Sequence, residues 1–247
     1  MKLEKNEIIV YWCPSESVID QEAMSLLDMK PKPFMSDFLK KRKKEIVPYL
    51  GDKFGSGYHV CTALHELVNN TYIINSPVSV DVSLSDEGYV DRNSFGHNWF
   101  KERSQSFNNS LSFDFGVSYA LFSEEPLEVS LTPPYMHKCS QSNTGFLSSV
   151  KWDISSWFRP FIFIYHMWDG EKSMSFVENE PIGYFHFHTD KKIVFKEFKM
   201  NEAITQQLMA CTGHKNVIPW QKMNQLYLRF NRGMKKRVLL EIKKNLV

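Results

Sequence analysis

The sequence predicts a mainly β fold with added helices: an antiparallel β-sandwich or open jelly-roll-like barrel with N-terminal helices and a C-terminal helical appendage. Three observations carry that prediction. Residues 152–198 hold four apolar, aromatic-rich segments, each about five to nine residues long, the usual length of a strand. They are punctuated by Asp169-Gly170, Asn179-Glu180-Pro181 and Thr189-Asp190-Lys191-Lys192, and turn chemistry at such intervals reads as a β-meander. Aromatic residues make up 14% of the chain, with 19 Phe, and rings pack well on a pleated surface. Beyond Met200 the apolar residues fall instead at three- and four-residue steps, a helical pattern.

Along the chain, residues 8–12 are strand-like and are predicted to stop at Cys13-Pro14, where the proline restricts the backbone. Residues 20–28 have helical spacing, with Asp20 as N-cap and Ala23, Leu26 and Leu27 on one side. Lys30-Pro31-Lys32-Pro33 breaks that helix, and residues 34–47 form a second short one whose Lys40-Lys41-Arg42-Lys43-Lys44 run is a solvated face or loop. Residues 51–57 read as a loop, and 59–67 fit strand or helix. Residues 71–75 and 78–84 read as strands, the second alternating Val78, Val80, Val82 and Leu84 with Ser79, Asp81 and Ser83. A long polar excursion is predicted over 85–110. Strands follow at 111–122 and 127–131, then a polar loop at 135–149, then the meander, in which Phe161, Phe163, Tyr165, Phe185 and Phe187 are core residues. Asn201 caps a helix through Ala210 that Thr212-Gly213 ends. Residues 220–246 form a long amphipathic helix, bent at Gly233, whose stripe is Leu226, Phe230, Met234, Val238 and Ile242. The chain thus divides into a β-rich body with an N-terminal helical insertion, residues 1–200, and a basic helical appendage packed on it, residues 201–247.

Composition narrows the function classes. No apolar run reaches about 18 residues, so a membrane span is not expected, and the N-terminus lacks a secretory h-region. Cys13, Cys61, Cys139 and Cys211 lie far apart and read as free thiols in a reducing compartment. The overall charge of +2 hides an asymmetry. Residues 201–247 carry nine Lys and Arg against two Glu, a net +7, and the other 200 residues carry 21 cations against 26 acids, a net −5. A basic tail on a slightly acidic body can steer an anionic partner to one end of the molecule, and Arg229, Arg232, Lys235, Lys236 and Arg237 are the candidate partner-binding residues.

The only cluster with metal-ligand spacing is His186, His188 and Asp190. On a strand all three project from one face, while Phe185 and Phe187 take the other. His188-Thr189-Asp190 matches the His-x-Asp half of the facial triad that holds Fe(II) in non-haem oxygenases. The third ligand is missing from the expected place, since the only later histidine is His214, in the helical tail. A cupin-like reading starts from His186-Phe187-His188 but lacks the glutamate expected a few residues on. His59, Cys61, His65 and Glu66 form a second cluster whose spacing suits no shared helical face. There is no Gly-x-Ser-x-Gly elbow, P-loop or dinucleotide fingerprint. Trp99, Trp152, Trp157, Trp168 and Tyr135 are candidates for an aromatic platform.

Three segments carry a resemblance: Asn69-Asn70-Thr71-Tyr72-Ile73-Ile74-Asn75-Ser76-Pro77; Glu124-Glu125-Pro126-Leu127-Glu128-Val129-Ser130 through Pro133-Pro134-Tyr135; and Trp157-Phe158-Arg159-Pro160 followed by Glu178-Asn179-Glu180-Pro181-Ile182. In order and spacing the chain resembles uncharacterised proteins of T4-like tailed phages of marine bacteria, and more distantly an uncharacterised bacterial family. The resemblance implies a phage origin and a β-rich fold, and no catalytic residue. The expected function is therefore a phage accessory or virion-associated protein, without a cofactor, that binds another macromolecule such as a phage structural protein or an anionic surface. Host cytoplasm or virion is its expected place, and self-association into a homo-oligomer stays open. Two alternatives remain: a non-haem metal-dependent oxygenase or cupin-like barrel enzyme using Fe(II), and nucleic-acid binding through the basic C-terminal helix.

Overall fold

The computed structural model describes residues 6–16, 29–34, 66, 68–85, 88–91, 100–102, 112–217 and 222–247. The strands in chain order are β1 (Glu7–Glu16), β2 (Lys32–Pro33), β3 (Thr71–Asn75), β4 (Val80–Ser85), β5 (Gly88–Asp91), β6 (Phe100–Glu102), β7 (Ser112–Phe122), β8 (Glu128–Thr132), β9 (Gly145–Leu147), β10 (Val150–Asp153), β11 (Pro160–Met167), β12 (Ser173–Phe176), β13 (Pro181–Phe187) and β14 (Lys192–Glu197). Helices α1 (Glu202–Val217), α2 (Met223–Arg229) and α3 (Lys235–Lys244) close the chain, with a π turn, Phe230–Met234, joining the last two. The fold is mainly β with added helices, a β-sandwich of curled, predominantly antiparallel sheets. The first sheet runs β14-β1-β7-β11-β9, with β6 also on β7; the second runs β10-β8-β13-β3-β2; a smaller third runs β12-β4-β5.

Alternation of apolar residues builds the core. Phe113, Phe115, Val117, Tyr119 and Leu121 from β7, with Phe161, Phe163 and Tyr165 from β11, meet Val129 and Leu131 from β8 and Phe185 and Phe187 from β13, while Val80, Val82, Met174 and Phe176 of the third sheet join the same cluster. All five predicted core aromatics are at most 1% exposed. Ring pairs hold the two main sheets together: Phe185 meets Tyr119 edge-on at 5.5 Å and Phe161 at 5.1 Å. All eleven residues of β7 are buried, because its outer face is also covered. Opposite β11, Ile162 pairs with Ser118 and Phe163 with Phe115. Gly116 and Val117 thus have no counterpart, and because the irregularity inserts two residues, Phe113 and Phe115 stay on the inner face.

Several expectations are corrected. Residues 152–198 supply strands where predicted, but they are not a meander: no two consecutive strands among β10 to β14 pair. β10 joins β8, β11 joins β7 and β9, β12 joins β4, β13 joins β3 and β8, and β14 joins β1 in parallel. Turn residues set where a strand stops, as at Gly170 (φ +83) and Asn179 (φ +66), and leave its partner undetermined. β1 continues through Pro14 to Glu16, because its pairing with β14 ends at Trp12 and the missing N–H falls on an unpaired edge. The loop over 135–149 contains a 3-10 turn, Ser140–Asn143, and β9. The excursion over 85–110 contains β5 and β6. Helix α1 passes through Thr212-Gly213, where the Thr212 hydroxyl donates back to the Leu208 carbonyl at 2.9 Å instead of breaking the ladder. The predicted helices at 20–28 and 34–47, except for Phe34, lie outside the described residues, as do Lys40–Lys44 and the glycines of 51–57. Cys13, Cys139 and Cys211 are buried thiols outside any disulfide.

Candidate functional site

The C-terminal helices are built to cover one apolar sheet face. Tyr11, Cys13, Ala120 and Phe122 on the outer face of the first sheet, with Trp157 and Phe158, receive Ile204, Leu208 and Cys211 of α1, then Leu226, Phe230, Val238 and Ile242. Asn201 starts α1 by accepting the Ile204 N–H at 2.8 Å. The chain end is fastened too: Lys199 donates its N–H to the Asn245 carbonyl at 2.8 Å, and Val247 to the Glu197 carbonyl at 3.1 Å. Lys243 reaches Glu124 in the β7–β8 turn at 2.9 Å, and that hydrogen bond raises the ammonium pKa.

Residues 226, 230, 234, 238 and 242 recur at strict four-residue steps, and in an α-helix each such step drifts about 40° around the axis. The π turn removes much of the drift. The Lys235 N–H reaches back five residues to the Phe230 carbonyl, widening one turn so that Val238 and Ile242 return to the sheet side. The opposite side then carries the cations. Arg229, Arg232, Lys236 and Arg237 are exposed, Lys235 is half-buried, and residues 223–240 contain no acid. Among the described residues, Arg232, Lys235, Lys236 and Arg237 form no ion pair. Lys244, in contrast, is bound to Glu241 at 2.7 Å.

The histidine cluster lies on the other side of the sandwich. Lys151, Ser130, His186 and Thr71 stand side by side across β10, β8, β13 and β3. His186 Nδ1 lies 2.8 Å from the Thr71 hydroxyl and His188 Nε2 lies 2.7 Å from the Ser130 hydroxyl, with the rings edge-to-face at 4.6 Å. Burial, then the His188 ring and Lys151, lower the His186 pKa; burial and Lys151 lower that of His188 against the opposing pull of Glu128. The register places Phe185 and Phe187 inward and the two histidines outward. Asp190 does not share the strand face, however, because β13 ends at Phe187 and Asp190 sits in an exposed turn held by the Asn70 amide on the Thr189 and Lys191 carbonyls at 2.6 and 2.9 Å. Among the described residues no three His, Cys, Asp or Glu side chains converge as a metal site. The helix that carries His214 covers the first sheet, whereas His186 and His188 leave the second sheet outward. The space between the sheets, where a barrel enzyme would hold its substrate, is packed with rings.

The aromatic platform is dispersed. Trp157 is buried under Tyr227 and Phe230, Trp152 stacks on Phe161 at 3.5 Å, exposed Trp168 rests on Phe146 at 4.8 Å, and exposed Tyr135 meets Tyr184 edge-on at 5.2 Å. Trp99, His59, Cys61 and His65 lie outside the described residues. Two polar clusters escape sequence reasoning. His166, almost fully buried, lies between the Ser112 and Ser148 hydroxyls at 2.7 and 2.5 Å. His137 meets the hydroxyl of buried Tyr184 at 2.5 Å, and burial pushes that phenol's pKa far up. Their members are 18 to 54 residues apart, so no local spacing signals them. No described helix is long and apolar enough to cross a membrane. No family model, curated protein or solved structure matches the chain.

Proposed function

We propose that the protein is a phage accessory or virion-associated protein that binds an anionic macromolecular partner through the outward face of α2, the π turn and α3. One observation carries this reading: a helix anchored to the first sheet by Leu226, Phe230, Val238 and Ile242 holds Arg229, Arg232, Lys236 and Arg237 to solvent along a stretch without acids. Like charges kept on one rigid face repel each other in the free protein, and a partner of opposite sign relieves that repulsion. The phage setting rests on the resemblance in the three segments from Asn69 to Ile182.

The test is retention on an immobilised polyanion. Arg232→Glu, Lys236→Glu and Arg237→Glu together should abolish retention and leave the thermal unfolding midpoint nearly unchanged, since exposed charges contribute little to stability. A folded triple variant retained like the parent protein would remove the reading's support.

A further inference from the structure

We infer that the partner is duplex nucleic acid, gripped by its phosphates on the π-turn face; this rests on the partner-binding reading above. The exposed side chains there are hydrogen-bond donors, Arg229, Arg232, Lys236 and Arg237 with Asn224 and Asn231 beside them, the residue types that contact phosphates and base edges. Among the described residues no aromatic side chain is exposed on this face, as Tyr227 is turned in against Trp157. Single-strand binders rely on stacking rings, so the face suits a duplex. A protein partner would be expected to meet an apolar centre, whereas the exposed Leu228 and Leu240 lie at the two ends of the cation row. At the middle of the row, Gly233 is exposed, and a Cβ there would meet nothing within 4 Å. Bare backbone between cations lets a phosphate chain approach closely. Residues 229 to 237 span about 12 Å of helix, and about seven phosphate charges lie along that length of duplex axis, enough to satisfy every cation.

Fluorescence anisotropy on the full chain tests this with three probes over a salt series: a short duplex DNA, a single strand of the same length, and polyglutamate. The duplex should bind best, and log K should fall with log salt at a slope of about −2.7, from Arg232, Lys236 and Arg237 at about 0.9 each. The double substitution Arg232→Gln and Lys236→Gln should lower that slope by about 1.8 with an unchanged circular dichroism spectrum, while Lys172→Gln on the distant β11–β12 turn leaves it alone. A preference for the single strand, or a slope indifferent to the Arg232 and Lys236 substitutions, overturns the inference. Binding to polyglutamate in preference to the duplex also overturns it but leaves the anionic-partner reading standing. Binding to none of the three defeats both.

Discussion

At the scale of single residues, burial and neighbouring charge decide what each side chain can do. Phe187 is 1% exposed and meets Tyr72 and Phe195 edge-on, both at 5.6 Å. Truncating it to Ala should destabilise the fold by about 3–5 kcal/mol, read as a lowered denaturation midpoint. His186 and His188 titrate below the ordinary 6.5, so the unfolded chain binds protons more readily than the folded one. Their contribution is therefore complete above pH 6.5 and is lost as the pH falls from there through the lower folded values. Urea midpoints measured from about pH 7 to about pH 5 should decline, and the decline should be shallower in a variant with His186→Gln and His188→Gln. After burial, Lys151 and Glu128 act on His188 in opposite senses, so Lys151→Met should bring the His188 midpoint, followed by NMR, back toward its ordinary value.

At the scale of elements, the C-terminal helix shows how a sequence period and a helix period are reconciled. Four-residue apolar steps do not match 3.6 residues per turn, and the π turn absorbs the mismatch at the position where the sequence carries Gly233. That glycine has no left-handed torsion and sits exposed in open space. Gly233→Ala should accordingly raise stability by about 0.5–1 kcal/mol, measured by chemical denaturation, because it reduces the freedom of the unfolded chain without a clash. An unchanged or lowered midpoint would mean that the π turn requires glycine for a reason other than space.

At the scale of the whole molecule, the first sheet is apolar on both sides: one face closes the sandwich and the other is roofed by helices. A chain ending at Val217 would uncover Phe122, Trp157 and Phe158, which pack against α2, the π turn and α3. Exposed contiguous apolar surface drives association, so the truncated protein should elute as aggregates in size-exclusion chromatography where the full chain does not.

By itself the sequence determined where most of the strands of the second half lie, which face of β13 is apolar, and which stripe of the C-terminal helix is buried. These depend on local signals: turn residues, period-two alternation and helical spacing all act within a few residues. Tertiary structure alone decided the partners. The pairing of β14 with β1 joins Glu7 to Lys192 across most of the chain, and the burial of Ser112 and His166 requires β7 and β11 to lie side by side. Apolar burial is non-directional, so an alternating strand announces that one face must be covered without naming the sheet that covers it. The candidate site divides in the same way. The row of cations falls within residues 229–237 and was visible in the sequence, whereas its outward aim came from the π turn and from the apolar sheet face beneath it.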